Sequence, residues 1–278
     1  MTRQAHCAAI EAALQAQVCS AALRGGYGMF TRAGRTAVLA ALAGCAAALA
    51  VSGCHVDSGL LQHQTRTYAV SSPVRTLVIS DRVGDVHVTA GAGPVSVTER
   101  ISYRHQLPAT THVVRAGTLT LTGTCPAHQP CDVEYHVRVP PATAIRIDDR
   151  VGNIRLAALT GQVITHISAG GIALRSLSGA VQVSDRAGSI IGSGLSSATI
   201  TLNAFVGDID ASFSAAPATV AATTTIGSIR LRLPRGAVYA VHASATAGSV
   251  HVTVPEASNS AHSITAHAGT GTVTIRPA

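Results

Sequence analysis

The sequence has no tryptophan and no lysine, and aromatic residues make up only 3% of its 278 residues. This scarcity argues against a core of large aromatic side chains and against aromatic platforms that stack on sugars or nucleic-acid bases. Without lysine, the usual amine for Schiff-base chemistry is missing. The chain instead has 26 glycines and much alanine, valine, threonine and serine, which is typical of tightly stacked β structure.

Positive charge is present but thinly spread. The formal net charge is +7, and every one of the 20 basic residues is an arginine. After residue 54, 16 arginines face 12 acidic residues, and no basic run is interleaved with aromatic residues, so we expect no nucleic-acid partner. The chain also lacks a Gly-x-Ser-x-Gly turn, a glycine-rich turn that opens a helix and an Asp-rich calcium repeat. We therefore expect a protein that is not an enzyme and needs no cofactor.

Residues 29–54 have the layout of a secretory signal peptide. Arg32 and Arg35 precede a long uncharged stretch, and the segment ends with Val-Ser-Gly-Cys at Cys54. This ending resembles a bacterial lipobox. The resemblance implies cleavage before Cys54 and attachment of a lipid to its sulfur, which would anchor the protein to the extracytoplasmic face of the cell membrane.

Two alternatives to this interpretation remain open. Leu-Ala-Gly-Cys at Cys45 also fits the lipobox pattern, and residues 36–53 could serve as an uncleaved membrane anchor. Each alternative also places residues 55–278 outside the cytoplasm. Residues 1–28 look like an over-extended start and are given no role.

After Cys54 only two cysteines remain, Cys125 and Cys131, in a turn between two strand-like runs. In an oxidising compartment, such a pair is expected to close a local disulfide. A zinc site that uses His128 and His136 is the rival interpretation. It lacks a second cysteine pair and proper histidine spacing, so we expect no metal.

Strands dominate the chain from residue 74 onward, because apolar and polar residues alternate between glycine, proline and serine turns. We assign residues 55–73 to a linker and residues 74–278 to a single all-β domain. Within it, residues 74–140 form a hairpin-rich antiparallel cap, and residues 141–278 form a repeat.

The repeat is marked by glycines followed two places later by Ile or Val. Five of them are nine residues apart, and four more follow at intervals of about 20: Gly152, Gly161, Gly170, Gly179, Gly188, Gly207, Gly227, Gly248 and Gly271. Such a period predicts a β-solenoid in which each coil of two short strands stacks on the previous one. Residues two and four places after each glycine should point into the core, and those three places after should face outward.

This pattern resembles the adhesin-like families called toastrack or head-GIN domains, whose activity is not settled. The resemblance rests on the repeated Gly-[Asp/Asn/Ser]-[Ile/Val] turns, on VRVPPATAIRIDDRVGNIRL (137–156) and on SIRLRLPRGA (228–237). It implies a parallel β-helix-like fold and a surface or envelope-associated binding role.

An Asp-Arg pair precedes three of the corner glycines, in Asp81–Arg82, Asp149–Arg150 and Asp185–Arg186. Because the pairs recur on different coils, we interpret them as exposed corner pairs that bridge neighbouring coils and not as catalytic groups. The better candidates for ligand contact are outward side chains after the glycine turn: Arg155, Arg175, Arg230, Arg232, His87 and His251. A face of this kind could dock a cell-wall polymer, anionic lipid or envelope protein.

The leading hypothesis is a non-enzymatic, lipid-anchored surface protein that acts as an adhesin-like binding or scaffold module. An accessory sensor in envelope-stress signalling is the alternative. A β-helix polysaccharide-degrading enzyme is a third, and it would require a groove where acidic groups converge, with Asp148 and Asp149 as its candidates.

Overall fold

The structure is a computed structural model that describes residues 60–278. The predicted signal segment 29–54, the lipidation site Cys54 with its alternative Cys45, and residues 1–28 lie outside the described residues. Residues 60–278 contain no helix that is long and apolar enough to cross a membrane.

The described residues form nineteen strands. In chain order these are β1 Gln62–Val70, β2 Thr76–Ser80, β3 Val86–Ala90, β4 Val95–Tyr103, β5 Ala109–Arg115, β6 Thr118–Thr124, β7 Cys131–Val139, β8 Ala144–Ala157, β9 Val163–Arg175, β10 Val181–Ala187, β11 Ile190–Leu195, β12 Thr199–Val206, β13 Ile209–Phe213, β14 Thr219–Ile226, β15 Ile229–Leu233, β16 Ala240–Ala247, β17 Val250–Val252, β18 Ser263–Thr270 and β19 Val273–Pro277. A disulfide joins Cys125 to Cys131 between β6 and β7.

The strands form two stacks, sheet A and sheet B, and each coil contributes one strand to each. Sheet A has the order β5, β6, β2, β8, β9, β10, β12, β14, β18, β16. Sheet B has the order β1, β4, β7, β3, β8, β9, β11, β13, β15, β19, β17. Strands β8 and β9 run through the corner and belong to both. The predicted all-β solenoid is confirmed.

The core lies between the two sheets and is built from the columns that the repeat predicts. Two places after the corner glycine, Ile154, Ile172, Ile190 and Ile229 are each 0–1% exposed. Val250 occupies the same position in β17 but is 39% exposed, because within residues 60–278 β17 pairs with a neighbour on one side only. Burial of these columns is the main source of stability.

The corner glycines stack directly on one another. A Cβ on Gly188 would overlap the carbonyl oxygen of Gly170, and a Cβ on Gly207, whose φ is +149°, would overlap that of Gly188. Only glycine allows this approach. The nine-residue period alternates between two corners, since Gly179 stacks on Gly161 at the opposite one.

The stacking order departs from the chain order at both ends of the solenoid. The last coil, β18–β19, lies between β14–β15 and β16–β17, and β2–β3 lies between β6–β7 and β8. The prediction that each coil of the repeat stacks on the previous one is therefore wrong at the C-terminal end, and β2–β3 lie outside the predicted repeat. Between β17 and β18, residues 253–262 supply the length of chain that steps back one level.

Two predicted boundaries also differ from the structure. Residues 62–70 of the predicted linker 55–73 form β1, which pairs antiparallel with β4. Strand β1 is difficult to predict from the sequence because most of its side chains are exposed or half-buried, so its apolar alternation is weak. In the predicted cap, β2 and β3 form a full solenoid coil with Gly84 at its corner, while the antiparallel pairs are β1–β4, β4–β7 and β5–β6.

Candidate binding groove

The arginines predicted as a contact face lie on the outer surface of sheet B, and three of them are already paired. Each forms a salt bridge with an acid of the neighbouring coil, two positions earlier in the repeat. The Nη–Oδ distances are 3.0 Å for Arg155–Asp85, 3.1 Å for Arg230–Asp208 and 3.1 Å for Arg232–Asp210. Exposed pairs of this kind add little stability, about 0–1 kcal/mol each. They do neutralise the charges that an anionic ligand would need.

His87 is held within a polar cluster on the same surface. Its Nε2 lies 2.7 Å from Arg155 Nη1, and its ring lies 4.5 Å from that of His136. Burial, His136 and Arg155 together lower the pKa of His87. Although burial alone would raise the pKa of Asp85, hydrogen bonds from Arg155 and Asn153 lower it.

The two remaining candidates, Arg175 and His251, are exposed and have no side-chain partner within residues 60–278. Arg175 ends β9, while His251 lies in β17, five strands away in sheet B. At the usual strand spacing they are about 24 Å apart along the stack. The structure therefore does not gather the six predicted residues into one site.

The Asp-Arg corners differ from their interpretation as exposed bridging pairs. The side chains of Asp81, Asp149 and Asp185 are buried. Two of them, Asp81 and Asp185, accept hydrogen bonds from backbone amides of their own corner. Asp81 Oδ1 accepts a hydrogen bond of 2.7 Å from the Arg82 amide, and Asp185 Oδ1 accepts one of 3.0 Å from the Ala187 amide. These aspartates occupy the inward column three places before the corner glycine, so they cannot reach the arginines outside.

Burial without a cationic partner controls how these carboxyl groups ionise. It raises the pKa of Asp81 to about 7 and those of Asp149 and Asp185 to about 6, against the opposing effect of nearby backbone amides. Both carboxylate oxygens of Asp149 are buried without a hydrogen bond of good geometry, as is one oxygen each of Asp81 and Asp185. The neutral acid is favoured in this environment.

A groove with a volume of about 670 Å³ follows the corner on the outer surface of sheet A. Its floor is formed by the side chains four places before the corner glycine in five adjacent strands: Asp148, His166, Ser184, Asn203 and Thr223. They face outward because their neighbours on either side in each strand point into the core. All five can form hydrogen bonds, yet none has a side-chain hydrogen bond or ion pair within residues 60–278.

The wall of the groove is a ridge formed by the two residues directly before each corner glycine, which both face solvent in most coils. Arg186 and Phe205 line the groove from this ridge, and Phe205 is 57% exposed. Arg82 and Arg150 occupy the same row in other coils. These three arginines are exposed and, within the described residues, have no side-chain partner. The groove therefore combines an unpaired polar floor with a wall that carries one free arginine, Arg186, and one aromatic ring.

A model of the Toastrack DUF4097 family matches residues 74–276, which is most of the chain. The chain belongs to this family. The Toastrack domain thus covers β2 to β19 nearly to its end, including the whole corner groove. No curated protein matches the chain.

Several solved structures resemble this Toastrack protein at low identity. A "putative adhesin" from Bacteroides fragilis is 14% identical, with a TM-score of 0.46, and the match covers 78% of this chain and 97% of that one. A "putative cell adhesion protein" from Clostridium sporogenes is 10% identical, with a TM-score of 0.35 and coverage of 79% and 100%. A "putative adhesin" from Parabacteroides merdae is 14% identical, with a TM-score of 0.35 and coverage of 78% and 96%.

The Toastrack groove is lined by three aspartates, Asp148, Asp149 and Asp185. Residues 60–278 contain no group of three or more His, Cys, Asp or Glu side chains that could hold a metal. Asp149 and Asp185 border the groove, but their unpaired carboxylate oxygens are sealed from solvent and cannot reach a glycosidic bond. Asp148 is the exposed carboxylate of the floor, whereas glycoside hydrolysis uses a pair.

The sequence contains one feature that indicates this groove, a column of polar residues. The column four places before the corner glycine is polar in every one of the five groove coils. Its members are chemically diverse, so it does not stand out as the isoleucine column does. The depth of the groove depends on how far the ridge projects, which the sequence pattern does not reveal.

Proposed function

We propose that this Toastrack protein is a non-enzymatic, adhesin-like binding module on the extracytoplasmic face of the cell envelope, with the corner groove as its contact site. The observation that carries the proposal is the contrast between the two outer faces. On sheet B, acids and arginines are paired across coils. On sheet A, the groove floor keeps five hydrogen-bonding side chains without a partner in the described chain.

Unpaired polar groups that converge in a concavity are the usual feature of a recognition site. A face whose charges are already paired must lose those pairs before it can bind a new partner. The groove is available without that cost. The family membership agrees with a binding role, since the resemblance noted in the sequence implies a surface protein of this kind.

The proposal is tested by adding residues 55–278, which contain every described strand but not the signal segment, to envelope fragments of the host and measuring the amount bound. The groove variant His166→Ala/Asn203→Ala/Phe205→Ala should bind at least about tenfold more weakly, since three lost contacts of about 0.5–1.5 kcal/mol each exceed the 1.4 kcal/mol that corresponds to tenfold. The control is Arg175→Ala/Arg230→Ala/Arg232→Ala on sheet B, which should stay close to wild type.

Both variants change outward-facing side chains, so their thermal unfolding should stay close to that of the parent protein. Weak binding by the sheet B variant together with normal binding by the groove variant would reverse the assignment and restore the predicted arginine face. Absence of envelope binding by the parent protein would refute the binding role itself.

Anchoring through a lipid on Cys54 is part of the same proposal. The uncharged stretch before Val-Ser-Gly-Cys supports it. Replacement Cys54→Ser should abolish metabolic labelling with a radioactive fatty acid, and label that persists would point to Cys45.

A further inference from the structure

We infer that the ligand of the corner groove is a linear acidic polysaccharide that lies along the stacking axis of the solenoid. This inference rests on the proposed function, because it names the class of ligand for the same groove. Shape, floor chemistry and wall chemistry each contribute to it.

The shape of the groove favours an extended polymer. Its floor crosses five adjacent strands of sheet A, from β8 to β14, in an unbroken parallel register. Four strand spacings of about 4.8 Å give a length of about 19 Å. A compact small molecule would contact one or two coils, whereas a chain laid along the axis contacts all five.

The floor offers one hydrogen-bonding side chain per coil. Ser184 and Thr223 have hydroxyl groups, Asn203 has an amide, His166 has an imidazole and Asp148 has a carboxylate. Hydroxyl, amide and imidazole groups both donate and accept hydrogen bonds, as do the hydroxyl groups of a sugar. The strand spacing is also close to the length of one sugar ring in an extended chain, so successive sugars can meet successive coils.

The wall adds a preference for negative charge. Arg150 and Arg186 lie in one row of the ridge, two coils or about 9.6 Å apart, and neither has a side-chain partner within residues 60–278. Free guanidinium groups bind carboxylates through paired hydrogen bonds. In the same row of the ridge, the exposed side chain of Phe205 can cover the C–H face of a sugar. Phe205 is thus an exception to the general scarcity of aromatic platforms in this chain.

A membrane surface is the competing partner, since the ridge also exposes Val206 and Ile226 beside its arginines. A flat bilayer would touch the ridge and leave the recessed floor unfilled. The five unpaired floor side chains would then gain nothing from binding. The concave, polar floor therefore favours the polysaccharide.

The test measures binding of the detergent-solubilised full-length protein to two oligosaccharide series of two to eight sugars, oligogalacturonates and hyaluronan fragments. Neutral chito-oligosaccharides of the same lengths serve as the uncharged control. Affinity for at least one acidic series should rise with length up to about five sugars, one for each coil that the strand spacing provides, and then level off. It should also fall as salt is added, because the arginine contacts are exposed.

Replacement Arg186→Gln should weaken binding of the acidic series about tenfold, which corresponds to the loss of one charge-assisted contact of about 1.5–3 kcal/mol. Arg175→Gln on sheet B removes the same charge from an equally exposed and unpaired site, and it should leave the affinity unchanged. Phe205→Ala should weaken acidic and neutral chains alike.

Three results would overturn the inference. One is no binding of either acidic series, and another is an affinity that is independent of length. The third is displacement of the protein from envelope fragments by vesicles of phosphatidylglycerol but not by acidic oligosaccharides, which would identify a membrane. In each case, groove-dependent binding to envelope fragments would still uphold the proposed function, so the two failures can be distinguished.

Discussion

At the scale of single residues, the Asp-Arg-Val-Gly corner contains two side chains with opposite environments. Asp149 is 2% exposed and lies beneath the corner, whereas Arg150, the next residue, is exposed to solvent. The change of direction at the corner separates the pair that looks like a salt bridge in the sequence. The aspartate is left in an environment that favours its protonated form, and the arginine is left free for a ligand.

This separation predicts an unusual dependence of stability on pH. The pKa of Asp149 in the folded protein, about 6, exceeds its ordinary value near 3.8, so the folded state holds the proton more tightly than the unfolded chain. The contribution of Asp149 to the free energy of unfolding is therefore full below about pH 4 and is lost as the pH rises through 6. Replacement Asp149→Asn should reduce the difference in unfolding free energy between pH 4 and pH 8 by about 2–3 kcal/mol.

Chemical denaturation at several pH values measures this difference. Thr223→Val is the control, since Thr223 lies exposed in the same outward column and has no ionisable group, and it should leave the pH dependence unchanged. An unchanged pH dependence in Asp149→Asn would show that the carboxyl group is solvated.

The residue pattern predicts the core side chains well, but it does not predict the contacts of the other side chains. The column of Ile154, Ile172 and Ile190 follows directly from the glycine alignment, because alternation in a strand allows only two directions. The burial of Asp149 could not be predicted in this way. A charged residue is ordinarily assigned to the surface, and only the three-dimensional path of the corner turns this one inward.

At the scale of strands, the stack is not a simple sequence of coils. Strand β18 pairs with β14 on one side and β16 on the other, so the last coil of the chain is interior and the coil before it forms the end of the stack. The sequence could not reveal this order. Every coil presents the same columns, and a parallel register between β14 and β18 is as well matched as one between β14 and β16.

The intercalated order predicts a specific pattern of amide hydrogen exchange. Amides of β18 and β19 have neighbours on both sides, whereas β16 and β17, among the strands that the structure describes, pair on one side only. Exchange in β18–β19 should on average be at least about tenfold slower than in β16–β17, since interior strands open only with larger units. Peptide-resolved mass spectrometry measures both. Faster exchange in β18–β19 would mean that the coils stack in chain order.

At the scale of the whole molecule, the solenoid has two outer faces with different properties. Sheet B has three acid–arginine pairs that join neighbouring coils diagonally, while Arg175 and His251 lie outside these pairs. Sheet A has a groove whose floor and wall are left open. The sequence located the arginines of sheet B correctly as outward side chains, but their pairing depends on which coils are adjacent. Asp85 and Arg155 are 70 positions apart in the chain and contact each other only because β3 pairs with β8.

The most direct test of this account is a comparison of histidine reactivity in the wild-type protein with and without bound envelope fragments. His166 lies in the groove floor, and His251 lies on the outer face of sheet B. With the site more than about 90% occupied, modification of His166 by diethyl pyrocarbonate should slow about tenfold, because only the free fraction reacts. Modification of His251 should proceed at the same rate in both samples. Protection of His251 with full reactivity of His166 would contradict the account and place the contact on sheet B.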